Sequence, residues 1–524
     1  MDSINKNNKI YFRLFCYLAI AIGIVLRLAQ YLSNKSLWRD EARIALNLIE
    51  KNFIGVTGSL NYDQTAPPGF MLFEKLFISV LGISEYALRL FPLLCGILSV
   101  FLFYKIIKKT LSAYSGNIAL LLFSILTPLI YYSSELKQYS SDVLISEILL
   151  LWAIYLTETK FDTTRGIMTG LLGAIVIWVS YPSIFLLVGI GLFLLVRFVK
   201  DRKQHPLSFL CTYILWALSF YILYKTYIHK TTNNELFNSF WERWYMPSPI
   251  ISISSLNWLS KAWSEFLNYL TLDPKIIFIL IPGVIYLLFK DKYIFIIFFS
   301  PIFCTIVGSA IHKYPLSGRL LLFLVPSVIF FLGKGIELVK LKTFSVFPII
   351  TIILTVFILY PPLLRTKNSF LHPPSIEEIK PALRYIKDHL KQGDVIYLNN
   401  HLQFAFKYYA KDYDFFDDLN FVIPTNNDAM KNGLLYKNKK YTLFIDPYIQ
   451  KKSETKREEC LHLLDKVKGN KRVWVMYSTY VEKPACNLGL ILNNTAGIKL
   501  LSFIQPGVNL YLYDLSEKNE NTSN

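Results

Sequence analysis

The stretch IYFRLFCYLAIAIGIVLRLAQY, residues 10–31, is the first of the apolar runs that determine the fold class. A run of about 20 apolar residues forms a helix that can cross roughly 30 Å of hydrocarbon. This run follows Lys6 and Lys9, has no small-residue cleavage site and is succeeded by further runs, which predicts a retained first helix and not a cleaved signal peptide. The chain is therefore predicted to be a polytopic α-helical membrane protein.

The composition favours the same class. The 524 residues are 53% hydrophobic and only 18% charged, with a mean hydropathy of +0.38. A soluble chain of this length is usually less apolar. The formal net charge of +18 is compatible with nucleic-acid binding. However, much of the Lys and Arg lies in short loops between apolar runs, as the orientation rule for membrane proteins requires. We therefore expect no nucleic-acid partner.

The apolar runs between charged loops predict about 11 spans. They lie near residues 10–31, 86–104, 113–131, 139–157, 166–180, 182–199, 207–228, 276–289, 293–312, 319–336 and 343–362. Residues 66–83 are also apolar but contain Glu74 and Lys75. They predict a helix at the membrane interface, with a twelfth span as the alternative.

The distribution of Lys and Arg predicts a cytoplasmic N-terminus, because the loops that are then internal carry most of the positive charge. An odd number of spans places the C-terminal segment outside. We predict a transmembrane module over residues 1–363, with a long external loop at 32–85, and an external α/β domain over 364–524. The Trp-rich segment 229–275 is typical of residues at a membrane surface.

The external domain carries its own secondary-structure signals. Ser375–Glu378 resembles a capping box that begins a helix ending near Leu390. Cys460 and Cys486 both lie in this domain, so a disulfide is permitted without being established. Short β-type runs predict strands at Val395–Leu398, Tyr441–Ile445, Val473–Tyr477 and Leu510–Tyr513.

Charged residues cluster at the predicted outer ends of the spans, where they are costly in lipid and therefore informative. Asp40 and Glu41 follow the first span, and Asp63 precedes Pro67–Pro68. This proline pair forms a rigid turn that we expect to hold Asp63 near the acidic pair. The alternative for Asp40 and Glu41 is an interfacial ion pair with neighbouring arginines.

Two further outer turns carry cations and aromatic rings. The first contains Glu135, Lys137 and Tyr139, and the second contains His312, Tyr314 and Arg319. Together with the acidic pair, they combine carboxylates for proton abstraction, cations for phosphate and aromatics for a ring-shaped substrate. The alternative is that Lys137 and Arg319 are ordinary snorkelling residues. For Arg27 and Arg89, we expect structural pairing.

The order of these motifs resembles a known family. Ser36–Ala42, the Ala66–Gly69 turn, the Glu135–Tyr139 turn and Tyr314–Pro315 with Arg319 are similar to the bacterial family 39 type of C-class glycosyltransferases. These enzymes are relatives of protein O-mannosyltransferases and of the aminoarabinose transferase that modifies lipid A. The resemblance extends over the membrane part and is strongest in residues 27–142. It implies a multi-pass protein of the bacterial cytoplasmic (inner) membrane.

The resemblance implies a polyprenyl-phosphate-linked sugar donor, an inverting transfer outside the cytoplasm, and a glycan, lipid or protein as acceptor. Asp40 matches the position of the family's general base, and Glu41 is expected to be its helper. The expected donor-phosphate ligands are Lys137, Arg319 and Tyr139; Lys137 stands where relatives often have Arg, and so lacks the bidentate fork. We expect the substrate-binding residues to be Asp63, Glu135, Tyr314 and His312. We expect no cofactor, because the outer loops lack a convincing set of ligands for a divalent cation; a divalent cation, which some relatives in the wider superfamily need, is the less favoured alternative.

Two other functions compete with this interpretation. A transporter or flippase of lipid-linked sugars would have polar residues along a path through the membrane, whereas the charged residues here cluster at one face. A surface-polysaccharide ligase or polymerase would use a lipid-linked oligosaccharide, and distinguishing it from a monosaccharide transferase requires the size of the pocket.

Overall fold

The computed structural model describes residues 2–200, 206–229, 239–250, 252–341, 347–413, 415, 434–437, 440–446, 467–480 and 498–516. The chain forms two compact units. The first unit comprises residues 1–33, 53–59 and 65–373, and the second comprises residues 34–52, 60–64 and 374–524. The segment with Asp40 and Glu41 thus belongs to the same unit as the C-terminal residues.

Helices dominate the described residues. The α-helices are α1 (Asp2–Leu32), α2 (Arg39–Glu50), α3 (Pro68–Leu81), α4 (Glu85–Thr110), α5 (Ala113–Ile125), α6 (Thr127–Tyr132), α7 (Tyr139–Glu158), α8 (Thr163–Val179), α9 (Ser183–Lys200), α10 (Pro206–Leu223), α11 (Ile253–Tyr269), α12 (Ile277–Lys290), α13 (Lys292–Ala310), α14 (Val325–Leu341), α15 (Phe347–Leu371), α16 (Ile379–His389) and α17 (Gln403–Tyr409). Helix α15 runs across residue 363, so the domain boundary expected there falls inside a helix.

Eight helices in the described ranges are long and apolar enough to cross a membrane. A ninth span results if Ile253–Tyr269 and Pro274–Lys290, bent by 110°, count as one. Helices α5 and α8 are apolar but shorter. Each predicted span therefore has a helix at its position, and the polytopic class is confirmed. The count of 11 spans stays a prediction. The 13 residues of α5 extend only about 20 Å, which is less than the roughly 30 Å of hydrocarbon that a span must cross.

Helix α3 occupies the apolar stretch that was predicted to lie at the interface. It has 14 residues and begins at Pro68, where the fixed φ of proline suits the first helical position. Phe70, Phe73 and Phe77 pack against Phe91 of α4. Glu74 is fully buried on this helix. The position of α3 relative to the membrane surface stays a prediction.

The second unit contains a six-stranded mixed sheet in the order β2-β3-β1-β4-β6-β5. Strand β1 pairs in parallel with β3 and β4, whereas β2, β5 and β6 pair antiparallel to their neighbours. The four predicted strands are present; β2 and β5, at the two edges, were not predicted. The strands are β1 (Asp394–Leu398), β2 (Leu434–Lys437), β3 (Tyr441–Ile445), β4 (Val473–Ser478), β5 (Ile498–Gln505) and β6 (Val508–Asp514).

Helix α16 packs on this sheet through an apolar stripe. Ile379, Ala382, Leu383 and Ile386 are buried at the spacing of one helix face. The predicted start at Ser375 is wrong, because the helix begins at Ile379 and its N-cap residue, Glu378, makes no side-chain cap. Cys460 and Cys486 lie outside the described residues, so the disulfide between them that the sequence permits is not tested.

Candidate functional site

The first turn of α2 carries the acidic pair and is capped by a distant residue. Trp38 occupies the N-cap position but makes no side-chain cap. Glu377 Oε2 accepts the Arg39 N–H at 2.9 Å, and its other oxygen accepts the Ser478 hydroxyl. The helix N-terminus leaves backbone donors without an intrahelical partner, and Glu377 satisfies one of them.

Glu378 anchors the residues immediately before α2. Its carboxylate accepts the Ser36 hydroxyl at 2.9 Å and the Ser36 N–H at 3.2 Å. The Lys380 N–H donates in turn to Ser36 Oγ at 3.2 Å. These contacts explain why the expected capping box fails: the two glutamates bind Ser36 and Arg39 and not the first turn of their own helix.

Asp40 and Glu41 have different environments although they are adjacent. The Asp40 side chain is 16% exposed and its Oδ1 lies 3.9 Å from Arg39 Nε. Glu41 is fully buried. Successive residues of a helix point about 100° apart, so the two carboxylates face different surroundings. Asp40 is therefore the member of the pair that solvent reaches.

His401 holds the Arg39 side chain. Arg39 Nη1 hydrogen-bonds His401 Nδ1, which assigns the acceptor role to that ring nitrogen. Burial, reinforced by the charges of Arg39 and Arg43, lowers the pKa of His401 to about 3. The ring is therefore neutral at physiological pH and remains an acceptor. Arg43 itself lies over the Phe404 ring at 4.4 Å.

The other end of α2 is fixed by a polar cluster. Glu50 accepts the Tyr62 hydroxyl at 2.7 and 2.8 Å and binds Lys407 Nζ at 2.6 Å. Asp63 follows Tyr62 in a turn where both residues have positive φ, 64° and 50°. Asp63 is exposed, unlike Glu41. Its predicted substrate-binding role stays a prediction.

In the first unit, the turn before α7 buries two charged residues. Glu135 and Lys137 are only 3% and 5% exposed, and the Lys137 N–H donates to the Glu135 carbonyl at 2.7 Å. Helix α4 approaches this turn at Gly96, where an added Cβ would lie 2.5 Å from Ser133 Cβ. A larger residue at position 96 would displace the turn that carries Lys137.

Arg319 and Tyr139 are brought together from separate elements of the first unit. Arg319 lies in the 3-10 helix Gly318–Leu324, and its guanidinium is 5.8 Å from the centre of the Tyr139 ring. Tyr139, at the start of α7, makes an edge contact with Tyr132 at 4.9 Å. The cation is thus held beside a pair of aromatic rings, an arrangement that suits binding of an anionic group.

Tyr314 and His312 make contacts that shape the turn before Arg319. The Tyr314 hydroxyl donates to the Leu320 carbonyl at 2.7 Å. His312 has a positive φ of 54°, hydrogen-bonds the Met246 carbonyl through Nε2 at 3.1 Å and stacks on Tyr245 at 5.2 Å. These contacts stabilise the loop, and the predicted substrate-binding roles of both residues, and of Glu135, stay predictions.

The candidate residues therefore form two groups. Asp40, Glu41 and Asp63 belong to the second unit, whereas the remaining candidates (Glu135, Lys137, Tyr139, His312, Tyr314 and Arg319) belong to the first. Among the described residues, no set of three His, Cys, Asp or Glu side chains is arranged to hold a metal ion. Metal independence remains an expectation.

Sequence reasoning missed Glu377, Glu378 and His401. The two glutamates were assigned to a local capping box, and nothing in a single sequence links them to residues about 340 positions earlier. Arg27 was expected to pair structurally. It is 1% exposed and donates through Nη1 to the carbonyls of Gly23, at 2.9 Å, and Ser124, at 3.2 Å.

Part of the chain matches a known family. Residues 65–224 match the model of a family described as dolichyl-phosphate-mannose-protein mannosyltransferase. This range includes Lys137 and Tyr139 but not Asp40 or Arg319. No curated protein matches the chain.

Several solved structures resemble this one. ArnT from Cupriavidus metallidurans bound to undecaprenyl phosphate has a TM-score of 0.50 at 12% identity, covering 96% of this chain and 98% of that chain. Its apo state has a TM-score of 0.49 at 11% identity, with coverages of 96% and 97%. The oligosaccharyltransferase of Archaeoglobus fulgidus, in complex with Zn and sulfate, has a TM-score of 0.43 at 10% identity and covers 78% of this chain and 58% of that chain.

These findings confirm the predicted resemblance and fold class. The likeness to ArnT extends over both units and shows a shared C-class fold. The family match comes from the membrane part and concerns sugar transfer. Together they support a membrane glycosyltransferase of the C-class type.

Proposed function

We propose, from the premise of a C-class membrane glycosyltransferase, that this protein transfers a sugar from a polyprenyl-phosphate donor to an acceptor. The acceptor is a glycan, lipid or protein at the extracytoplasmic face. Asp40 is the general base, and the reaction inverts the anomeric carbon. The transferred sugar is a hexose or pentose derivative.

The observation that carries the proposal is the contrast between Asp40 and Glu41. A general base must contact a substrate hydroxyl or amine, so its carboxylate must be reachable. Asp40 is partly exposed, whereas Glu41 is fully buried. Asp40 also lies in the first turn of α2, where the partial positive charge of the helix N-terminus favours a carboxylate. Glu41 then supports the helix from its buried side.

The donor phosphate is assigned to Lys137, Arg319 and Tyr139 of the first unit. A buried lysine in a membrane protein is costly unless an anion or a polar partner compensates its charge. The Arg319 guanidinium beside the Tyr139 ring supplies a second positive group. ArnT, whose fold this chain shares, binds undecaprenyl phosphate, which supports a polyprenyl carrier here.

The proposed reaction is a single displacement. The acceptor O–H or N–H gives its proton to the Asp40 carboxylate, and the acceptor atom forms a bond to the anomeric carbon. The bond between that carbon and the phosphate oxygen breaks, and its electron pair stays on the polyprenyl phosphate. Lys137 and Arg319 stabilise this negative charge, which is greatest after the bond has broken. Transfer in the presence of a chelator tests our further proposal that no metal is required.

The proposal includes an orientation for the chain. The N-terminus is cytoplasmic, and the second unit lies outside the cytoplasmic membrane of a bacterium. A protease added to intact spheroplasts should then cleave a tag fused after the second unit but spare one at the N-terminus. The reverse pattern would contradict the external location of the reaction.

The deciding experiment compares cells with and without the protein. Mass spectrometry of surface glycans, envelope lipids and proteins should reveal a species that loses one sugar when the protein is absent. Wild-type protein should restore it, and Asp40→Asn should not. A flippase predicts instead that the lipid-linked sugar accumulates on the cytoplasmic side and that Asp40→Asn restores the product. That outcome, or no lost sugar, would refute the transferase assignment.

A further inference from the structure

We propose that Glu377 and Glu378 are positioning residues that fix the first turn of α2 and thereby set the direction of the Asp40 carboxylate. The inference rests on the proposed role of Asp40. It assigns a task to the second unit, whose C-terminal part otherwise has no residue in the reaction.

The first argument is that α2 lacks a cap of its own. A helix usually begins with Ser, Thr, Asp or Asn, whose side chain accepts a backbone N–H of the first turn. Trp38 occupies this position and cannot accept. Glu377 takes over that function from 338 positions away along the chain, accepting the Arg39 N–H. The residue whose amide it binds directly precedes Asp40.

The second argument is that the adjoining backbone is fixed in the same way. Ser36 N–H donates to Glu378 at 3.2 Å, and Leu37 N–H donates to the Tyr409 hydroxyl at 2.8 Å. Three of the four backbone N–H groups of residues 36–39 therefore donate hydrogen bonds to side chains that follow residue 373 in the sequence. Trp38 adds an edge contact with the Tyr480 ring at 5.7 Å. The turn that carries Asp40 has little freedom to rotate.

The third argument concerns the cost of these anchors. Glu377 and Glu378 are 1% and 7% exposed, and an ionised carboxylate is rarely buried without a specific set of donors. Burial raises the pKa of Glu377, while the Ser478 hydroxyl and the Arg39 amide counteract part of that rise. An apolar side chain at either position would leave the Ser36 or Arg39 amide without this acceptor, so the acids are suited to holding this particular backbone segment.

The consequence for catalysis follows from geometry. A displacement of about 1 Å in a reacting group can lower a rate about 100-fold. Loss of the hydrogen bond to Glu377 makes the first turn of α2 more mobile. The Asp40 carboxylate then no longer points steadily at the sugar acceptor. The donor ligands belong to the first unit, so donor binding should be preserved.

The first test measures the anchor without any substrate. Hydrogen exchange of the full-length protein in nanodiscs, followed by mass spectrometry, reports the amides of residues 36–39. Glu377→Ala should accelerate exchange there at least about tenfold, since one of the protecting bonds is lost. Glu377→Gln retains a carbonyl acceptor and should exchange more slowly than the alanine variant. Asp394→Asn, which changes a buried acid elsewhere in the same unit, should leave this segment unchanged.

The second test measures transfer. Product formation per molecule of protein should fall about 10- to 100-fold in Glu377→Ala. In Glu377→Gln it should be close to the wild-type value, because the carbonyl acceptor is retained. Binding of undecaprenyl phosphate, the probe for the donor site, should be unchanged in both. Ser36→Ala, which removes the hydroxyl contact with Glu378 and the acceptor of the Lys380 N–H, provides a milder variant if Glu377→Ala fails to fold. It should lower transfer a few-fold at unchanged protein abundance.

The outcomes separate the inference from the proposed function. Wild-type exchange at residues 36–39 in both Glu377→Ala and Ser36→Ala, or wild-type transfer despite faster exchange, would overturn the positioning role. Wild-type transfer by Asp40→Asn would instead refute the assignment of the base. The exchange experiment would then still decide whether the two glutamates hold the segment.

Discussion

The two units hold their polar candidates by different physical means. In the second unit, the turn with Asp40 is fixed by directional hydrogen bonds that it donates to Glu377, Glu378 and Tyr409. In the first unit, Arg319 lies over the Tyr139 ring, which attracts its positive charge without forming a hydrogen bond. The difference fits the two roles that we propose for these residues. A base must point at one proton, whereas a phosphate ligand needs only to place positive charge nearby.

The strongest test of this contrast is Asp40→Asn. The amide cannot take the acceptor proton, and loss of a general base typically costs about 10²- to 10⁴-fold in rate. Transfer should therefore fall by that factor while the thermal unfolding profile is preserved. Glu41→Gln, at the buried neighbour, is the comparison: a larger loss of transfer there at unchanged stability would exchange the roles of the two acids.

A second test asks whether the units are stabilised independently. Asp394 is 1% exposed and accepts from Arg472 Nε and Trp474 Nε1, both at 2.8 Å. Asp394→Ala leaves Arg472 without this partner and should destabilise the second unit by about 3 kcal/mol. Denaturant unfolding should show one transition shifted and the transition of the first unit unchanged. A uniform shift of all signals would mean that the units unfold together.

A third test addresses the cations of the first unit. Removing one charge-assisted contact to a phosphate costs about 1.5–3 kcal/mol, which is about 10- to 100-fold in Kd. Lys137→Ala and Arg319→Ala should each weaken undecaprenyl phosphate binding by this amount. Lys261→Ala removes an exposed cation of the same unit and should have no effect. Equal losses in all three variants would indicate nonspecific attraction of the lipid.

The smallest expected effect, taken over one pH unit, is a pH dependence of stability set by His401. Its pKa is lowered to about 3 by burial and by Arg39, whereas the unfolded value is 6.5. Between these values the unfolded state binds more protons, so stability falls as pH decreases, by up to about 1.4 kcal/mol per pH unit. His401→Gln should remove this slope while retaining an acceptor for Arg39.

The free energy of unfolding must be measured against pH for both the wild-type protein and His401→Gln, and the two profiles compared. Burial raises the pKa of Asp446 to about 7 and also raises that of Glu377. Both acids change stability with pH in the direction opposite to His401, because the folded state favours their protonated forms. Subtracting the His401→Gln profile from the wild-type profile cancels their contribution. A zero difference between pH 4 and 6 would contradict the buried, neutral His401.

The fold class could be predicted because it depends on hydrophobic patterns within short stretches of sequence. Each span is predicted by its own run of apolar residues, and strands β1, β3, β4 and β6 are predicted by short β-branched and aromatic segments. The edge strand β2 has only four residues and was missed. Helix α16 was predicted to begin four residues early, because the carboxylates that looked like a local cap make long-range contacts.

The candidate residues were proposed from the sequence, but their division between the two units was not predicted. By residue type alone Asp40 and Glu41 looked equivalent; the family resemblance gave them different expected roles, and the structure separates them by exposure. Residues 34–52 read as a loop of the membrane module, yet they are in the same compact unit as residues 374–524. A single sequence holds no signal for such a pairing, because it depends on hydrogen bonds between positions more than 330 residues apart.

The turn at Gly507 has a consequence for the order of synthesis. Its φ of 71° and its closeness to Ile376 leave no room for a side chain, and the neighbouring Pro506 carbonyl accepts the Glu378 N–H at 2.8 Å. On the ribosome, Asp40 is made long before this turn. The acidic segment is therefore synthesised well ahead of the residues after 373 that bind it. A chain interrupted before this turn would carry every proposed reactive residue and both glutamates, yet it would lack the Pro506 carbonyl that binds the Glu378 amide.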